Sequence, residues 1–264
     1  MLNLVRNTVM ALTRSSVKQR IEGAPTSSNG ASSFHLSWEC PPVALAEVSV
    51  TLTIRDAPQV DKLYFWALQA SFAQNGIAMG AAHLGLQYHP AYPHSTAANW
   101  GGYQSGGTEL EGSTSTLPST LDNPNTRDYT WRVGSAYRLR IYQAKEQDRW
   151  CGSVTDLDSG IETVIRELFV SADSLVAPVM WTEAFCDCDD PSVSVVWSEP
   201  EVVPKVATGQ GDPHLVTAVN TNYQAYENGG CTNTVSILEP SLGFVQQTNC
   251  ERSVPSHSRL VLES

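Results

Sequence analysis

KLYFWALQASFAQNGIAMGAAHLGLQYHPAYPHSTAANWGGYQSGG (62–107) decides the fold. Two apolar, aromatic-rich runs, 62–72 and 77–88, flank Asn75-Gly76, a dipeptide that readily takes the two positive φ angles of a tight hairpin turn. The runs are therefore expected to pair as antiparallel strands. Gly80 and Gly85 interrupt the second run and mark a bulge or a close approach of backbone. From His89 to Tyr129 apolar periodicity is lost. That stretch reads as a long loop, aromatic and Gly-rich at first and low in complexity over 112–126, where it is expected to be mobile.

The same period-two pattern extends outward on both sides. FHLSWEC (34–40) alternates Phe34, Leu36 and Trp38, and AEVSVTLTI (46–54) turns Val48, Val50, Leu52 and Ile54 to one face. Such alternation describes half-buried antiparallel strands. Tyr137, Leu139 and Ile141 oppose Arg138, Arg140 and Tyr142; further strands are read at 148–160, 160–170, 176–186 and 192–200, and four short ones follow 213. Strands about ten residues apart with turns between them give the fold class: all-β, an antiparallel two-sheet sandwich of the jelly-roll or concanavalin-like kind. The domain reading is a basic disordered tail and linker over 1–33, then a single β-sandwich domain over 34–264.

Composition narrows the function classes. The chain has 264 residues, 41% apolar and only 16% charged, with seven Trp and nine Tyr. Residues 1–21 hold Arg6, Arg14, Lys18 and Arg20 and no acid; the rest carries 12 basic against 27 acidic side chains, a net of −15. A body so acidic repels phosphate backbones, which argues against nucleic acid. No apolar run is long enough for a membrane span, and Arg6 and Arg14 break up any signal-peptide core. Six cysteines (Cys40, Cys151, Cys186, Cys188, Cys231, Cys250) point to disulfides and an oxidising, extracellular or cell-envelope location. Cys231 with Cys250 is the favoured pair, because two short strands between them make a hairpin. A zinc site lacks its second ligand pair.

Over 62–107 and 129–198 the chain resembles a bacterial domain-of-unknown-function family, number 3472. The resemblance rests on YFWALQASF and the hairpin to GLQY, then YTWRVGSAYRLRI, WCGSVTDLDSG and WTEAFCDCDDPSVSVVWSEP. Trp131-Arg132-Val133-Gly134 with Tyr137, Trp150 with Gly152, Val154 and Asp156, and Thr182-Glu183 stand in the places of that family's motifs. It implies a two-sheet sandwich similar to lectin-like jelly rolls and carries no activity.

Three chemistries compete. In the leading one, a glycan or polysaccharide stacks on Trp100, Tyr103, Tyr92 and Tyr88 while Gln87, Asn99, His89 and Glu183 bond its hydroxyl rim, since sugars offer an apolar C–H face edged by polar groups. The opposing reading makes these rings core, as expected for Trp66. The alternative is a polysaccharide-degrading hydrolase or lyase using Glu183 with Asp156 or Glu109, as glycoside hydrolysis takes two facing carboxyls. A non-catalytic structural or interaction module is the third. No cofactor is implied beyond calcium at Asp187, Asp189 and Asp190, a short acidic knot that also reads as a solvated turn.

Overall fold

The computed structural model describes residues 18–146, 148–206 and 209–263. Its strands are β1 Ser32–Trp38, β2 Leu45–Asp56, β3 Tyr64–Gln74, β4 Ile77–Tyr88, β5 Thr96–Gln104, β6 Ser119–Thr120, β7 Asn123–Asp128, β8 Ala136–Gln143 and β9 Arg149–Asp156. They continue as β10 Ile161–Phe169, β11 Ser174–Ala184, β12 Ser194–Val206, β13 Gly209–Gln210, β14 His214–Leu215, β15 Ala218–Tyr223, β16 Val235–Glu239, β17 Gly243–Gln247 and β18 Arg259–Val261. A short 3-10 turn at Tyr226–Asn228 is the only helical element among the described residues.

Every pairing is antiparallel. One sheet runs β18-β15-β1-β11-β3-β4-β5-β7-β6. The other runs β10-β9-β8-β2-β12-β17-β16. A single rung, Leu175 to Leu45, ties them at one corner. The expected all-β sandwich is therefore the fold. Between the sheets lie the alternating sets read from the sequence: Leu36 and Trp38 of β1, Val48 to Ile54 of β2, and Tyr64, Trp66, Leu68 and Phe72 of β3. Burying such apolar surface is the main force holding the sheets together.

The hairpin at Asn75-Gly76 forms as expected, with φ 51° and 77° at the two residues and Gln74 opposite Ile77. The register slips between Phe72 and Ala73, opposite Gly80, whose φ is 147°. Gly85 is needed for a different reason: a Cβ there would come within 1.9 Å of the Trp66 carbonyl oxygen.

Three expectations need correction. The stretch after His89 is not one long loop, because β5 and β7 extend the first sheet within it. β5 (TAANWGGYQ) has no β-branched residue after Thr96, and its small side chains hid the strand. The disulfide joins Cys188 to Cys231, with Cα atoms 5.6 Å apart, and Cys250 remains a thiol. The β16–β17 hairpin forms, yet Cys231 lies against the 186–190 turn, where the Asn233 side chain donates to the Cys188 carbonyl at 2.7 Å. Finally, residues 18–31 are bonded into the domain. Arg20 donates to the carbonyls of Tyr226 and Gly230, and Thr26 N–H donates to Gly229. Residues 1–17 of the expected tail lie outside the described residues.

Candidate functional site

Alternation in the first sheet leaves a second set of side chains on its outer face. With Phe34, Trp66 and Leu86 turned inward, Ser33 and His35 of β1, Phe65 and Gln69 of β3, and His83 and Gln87 of β4 must face outward. Trp181 and Glu183 of β11 join them. They line a cleft of about 440 Å³.

The ladder sets these residues in rows. In the first, Ser33 pairs with Glu183, Glu183 with Phe65, and Phe65 with Gln87. The next row runs His35, Trp181, Ala67, Gly85 and Asn99, and its small central residues give the indole room to lie over the sheet. Phe65, His83 and Trp181 meet edge to face, with ring centroids 4.9 to 5.8 Å apart, and form the cleft floor.

Glu183 is held at one end. Its Oε1 accepts from Asn29 Nδ2 at 2.8 Å and from Ser33 Oγ at 3.2 Å, while Oε2 has no partner among the described residues. Burial raises its pKa, and the two hydrogen bonds oppose that rise without cancelling it. A carboxyl with one oxygen anchored, the other open to the cleft and an elevated proton affinity is equipped for proton transfer.

Gln87 faces it across Phe65. Its Oε1 accepts from Tyr92 Oη at 2.9 Å and Thr126 Oγ1 at 3.3 Å, and Thr126 in turn accepts from Asn99 Nδ2 at 2.9 Å. With its oxygen held from behind, the amide presents N–H donors to the cleft. His35 and His83 are both kept neutral by burial, with pKa lowered to about 4. The far wall carries Tyr103, 54% exposed, and Glu109, bound by Asn125, whose own oxygen accepts from Arg166 at 2.8 Å.

Of the residues singled out in the sequence, Gln87, Asn99, Tyr103, Glu109 and Glu183 come together here. Trp100 does not. It is fully buried between the sheets and so cannot belong to the expected stacking platform. Tyr92 is buried and serves Gln87; Tyr88 packs edge-on against Tyr64; His89 caps its own turn by accepting from Ala91 N–H.

Asp156 accepts from Asp158 and Ser159 in the β9–β10 turn of the other sheet, away from the cleft, and cannot pair with Glu183. The Asp190 side chain accepts from Asp187 N–H within its own turn and that of Asp189 from Gly23 N–H, and no group of three metal-ligating side chains occurs among the described residues. Phe65, Trp181, His35, Ser33, Asn29 and Asn125 were missed. The outward set of β3 and β11 was open to a strict two-residue count from Trp66 and Glu183; Asn29 lay in the supposed linker.

The chain matches no family model and no curated protein. Among solved structures it is similar to a Scytalido-glutamic peptidase bound to a peptide-based transition state analog, with 9% identity, TM-score 0.46, and 82% of this chain and 98% of that one covered. SCP-B, an Eqolisin-family peptidase in complex with the tripeptide Ala-Ile-His, gives 9% identity and TM-score 0.42 over 86% and 98% of the chains. The enzymatically active domain of tailspike protein 2 from bacteriophage CBA120 gives 13% and 0.29 over 74% and 24%.

Proposed function

We propose that this protein is a hydrolase acting on extended polypeptide, with Glu183 as the group that moves the proton. The observation that carries the reading is the row Ser33–Glu183–Phe65–Gln87. It sets an anchored carboxyl and an oriented amide donor two strands apart, about 10 Å between backbones, on either side of an aromatic floor. A peptide bond lying over Phe65 meets Glu183 Oε2 on one side and the Gln87 amide on the other.

In this reading Glu183 as carboxylate takes a proton from a water molecule as the oxygen attacks the carbonyl carbon. The Gln87 N–H groups support the charge that gathers on the carbonyl oxygen. The carboxyl then returns the proton to the departing nitrogen as the C–N bond breaks. A raised pKa makes Glu183 a better base than an ordinary carboxylate.

A two-carboxylate glycosidase is the weaker reading. Glu109 pairs with the strand beyond β4, four strand spacings from Glu183, on the order of 19 Å along the sheet, against the separation of about 5–10 Å that glycoside hydrolysis uses. Non-catalytic glycan binding keeps one supporting observation, the exposed ring of Tyr103 beside the amides of the far wall. The Cys188–Cys231 disulfide fits action in an oxidising compartment. No helix among the described residues is long and apolar enough to cross a membrane.

The test incubates the full chain and its Glu183→Gln variant with a mixed peptide pool and a polysaccharide panel between pH 3 and 8. New peptide termini that vanish in the variant support the hydrolase. Retention on a polysaccharide without product, lost in Tyr103→Ala, makes it a glycan-binding module instead. Released sugar ends would overturn both.

A further inference from the structure

The cleft does not stop at Glu183. Ser33 and His35 of β1 also line a second basin of about 670 Å³ on the β15 side, so the two cavities share a wall. In a chain of net charge −11, this basin is lined by Arg252, His35 and His257 with Asn222, Tyr223 and Gln224, and by no carboxylate at all.

Arg252 is fixed as a charge. Its Nε donates to the Thr234 carbonyl at 2.9 Å, and its Nη2 to Cys231 O at 2.9 Å and Thr234 Oγ1 at 3.0 Å. The guanidinium lies 4.0 Å from the centre of the Tyr223 ring. No carboxylate pairs with it, and Nη1 has no hydrogen-bond partner among the described residues. A half-buried guanidinium with one free edge, held rigid by its other nitrogens, is built to receive an anion.

We propose that this basin is a substrate subsite for a carboxylate, with Arg252 supplying the charge. The inference rests on the reading of the neighbouring cleft as a peptide site. Gln224 N–H donates to Ser33 O at 2.9 Å, and Ser33 pairs with Glu183, so the basin lies two strand spacings from Glu183. That is about 10 Å, or roughly three residues of extended chain. The carboxylate is therefore an Asp or Glu side chain some three residues from the bond over Phe65, or the chain end itself at that distance.

Arg252→Ala would remove three framework hydrogen bonds, so the charge is tested through its neighbours. Asn222→Asp places a carboxylate on the basin wall, and His257→Asn keeps a residue that tolerates the φ of 65° there. Each is made in the Glu183→Gln background and titrated with fluorescent peptides. One set carries Glu or Gln at a single scanned position, the other a free or amidated C-terminus. The expected result is binding roughly tenfold tighter for the acidic member of one pair, as for a hydrogen bond to a charged group, abolished by Asn222→Asp and weakened by added salt. Which pair responds separates side chain from chain end. Equal affinity within every pair overturns the subsite. The two readings fail separately: an acidic preference without hydrolysis in the unsubstituted protein removes the hydrolase and keeps the basin, whereas hydrolysis blind to acidic residues does the reverse.

Discussion

Trp100 of β5 lies against the backbone of Gly152 in β9, across the space between the sheets. A Cβ on Gly152 would fall 2.6 Å from the indole, and the Trp100 Nε1 donates to the Trp150 carbonyl at 3.2 Å. The residue that sequence reading offered as a ligand platform is a fastener of the sandwich.

Gly152→Ala is accordingly expected to destabilise the fold by about 1–3 kcal/mol through overpacking, and Trp100→Ala by about 3–5 kcal/mol through the cavity it leaves. Urea unfolding would show both as lowered midpoints. A Trp100→Ala protein of unchanged stability would contradict this placement and restore the surface-ring reading.

The anchoring of Glu183 makes its proton affinity adjustable. Burial raises the carboxyl pKa, while Asn29 and Ser33 hold it down by donating to the charged form. Removing one donor, as in Asn29→Ala, is expected to raise the pKa further. In the proposed reaction Glu183 starts as carboxylate, so the rate rises with pH through that pKa. The acid limb should lie above the ordinary range for Glu and move to still higher pH in Asn29→Ala. A pH–rate profile checks it; a limb that stays in place in the variant would separate Glu183 from the rate.

Much of this arrangement is legible in the sequence. The Asn75-Gly76 turn appears as read, and alternation over 46–54 does turn Val48 to Ile54 into the core. The strand is not half-buried, however, because Glu47, Ser49 and Thr51 on its other face are covered as well, with Arg138 and Arg140 bonded to Ser49 and Glu47. β5 was illegible because Ala97, Ala98, Gly101 and Gly102 put small residues on both of its faces, where Asn125 on one side and Ala81 and Ala82 on the other leave no room for a branched apolar side chain at the glycines. Glu183 was readable as a candidate from Thr182-Glu183 beside Trp181. Its anchors were not, because Asn29 and Ser33 reach it from more than 140 positions away in the chain, through tertiary contacts that no local pattern encodes. The cysteine pairing failed for a similar reason: the hairpin between Cys231 and Cys250 forms, but Cys231 meets Cys188 from 43 positions away in the chain.

That disulfide closes 43 residues of chain, including the long strand β12 and the strand β15. Loop-closure entropy assigns such a link about 4 kcal/mol. A Cys188→Ser/Cys231→Ser protein should therefore unfold at clearly lower denaturant, and reducing agent should lower the midpoint of the unsubstituted protein by the same amount. Thiol counting before and after reduction checks the pairing directly: four free thiols are expected in the unfolded, unreduced chain, matching Cys40, Cys151, Cys186 and Cys250. No change on reduction would contradict the link.

Acid stability follows from the two buried histidines. Burial lowers the pKa of His35 and of His83 from 6.5 to about 4. His83 faces Phe65 and Trp181, and His35 faces Trp181, so neither has an acid partner in these contacts to favour its charged form. Below pH 6.5 the unfolded chain binds protons that the folded chain refuses. Their contribution is complete above pH 6.5, falls as the pH drops, and is gone below about 4. Glu183 has the opposite sign: its folded pKa is raised, so its contribution is present in acid and lost as pH rises through that pKa. With two histidines against one carboxyl, Tm should fall from pH 6.5 towards 4, and the slope should be shallower in His83→Phe, which keeps a ring against Phe65 and Trp181. Thermal melts of both proteins at half-unit pH steps measure it, and parallel curves would mean that His83 is charged in the fold.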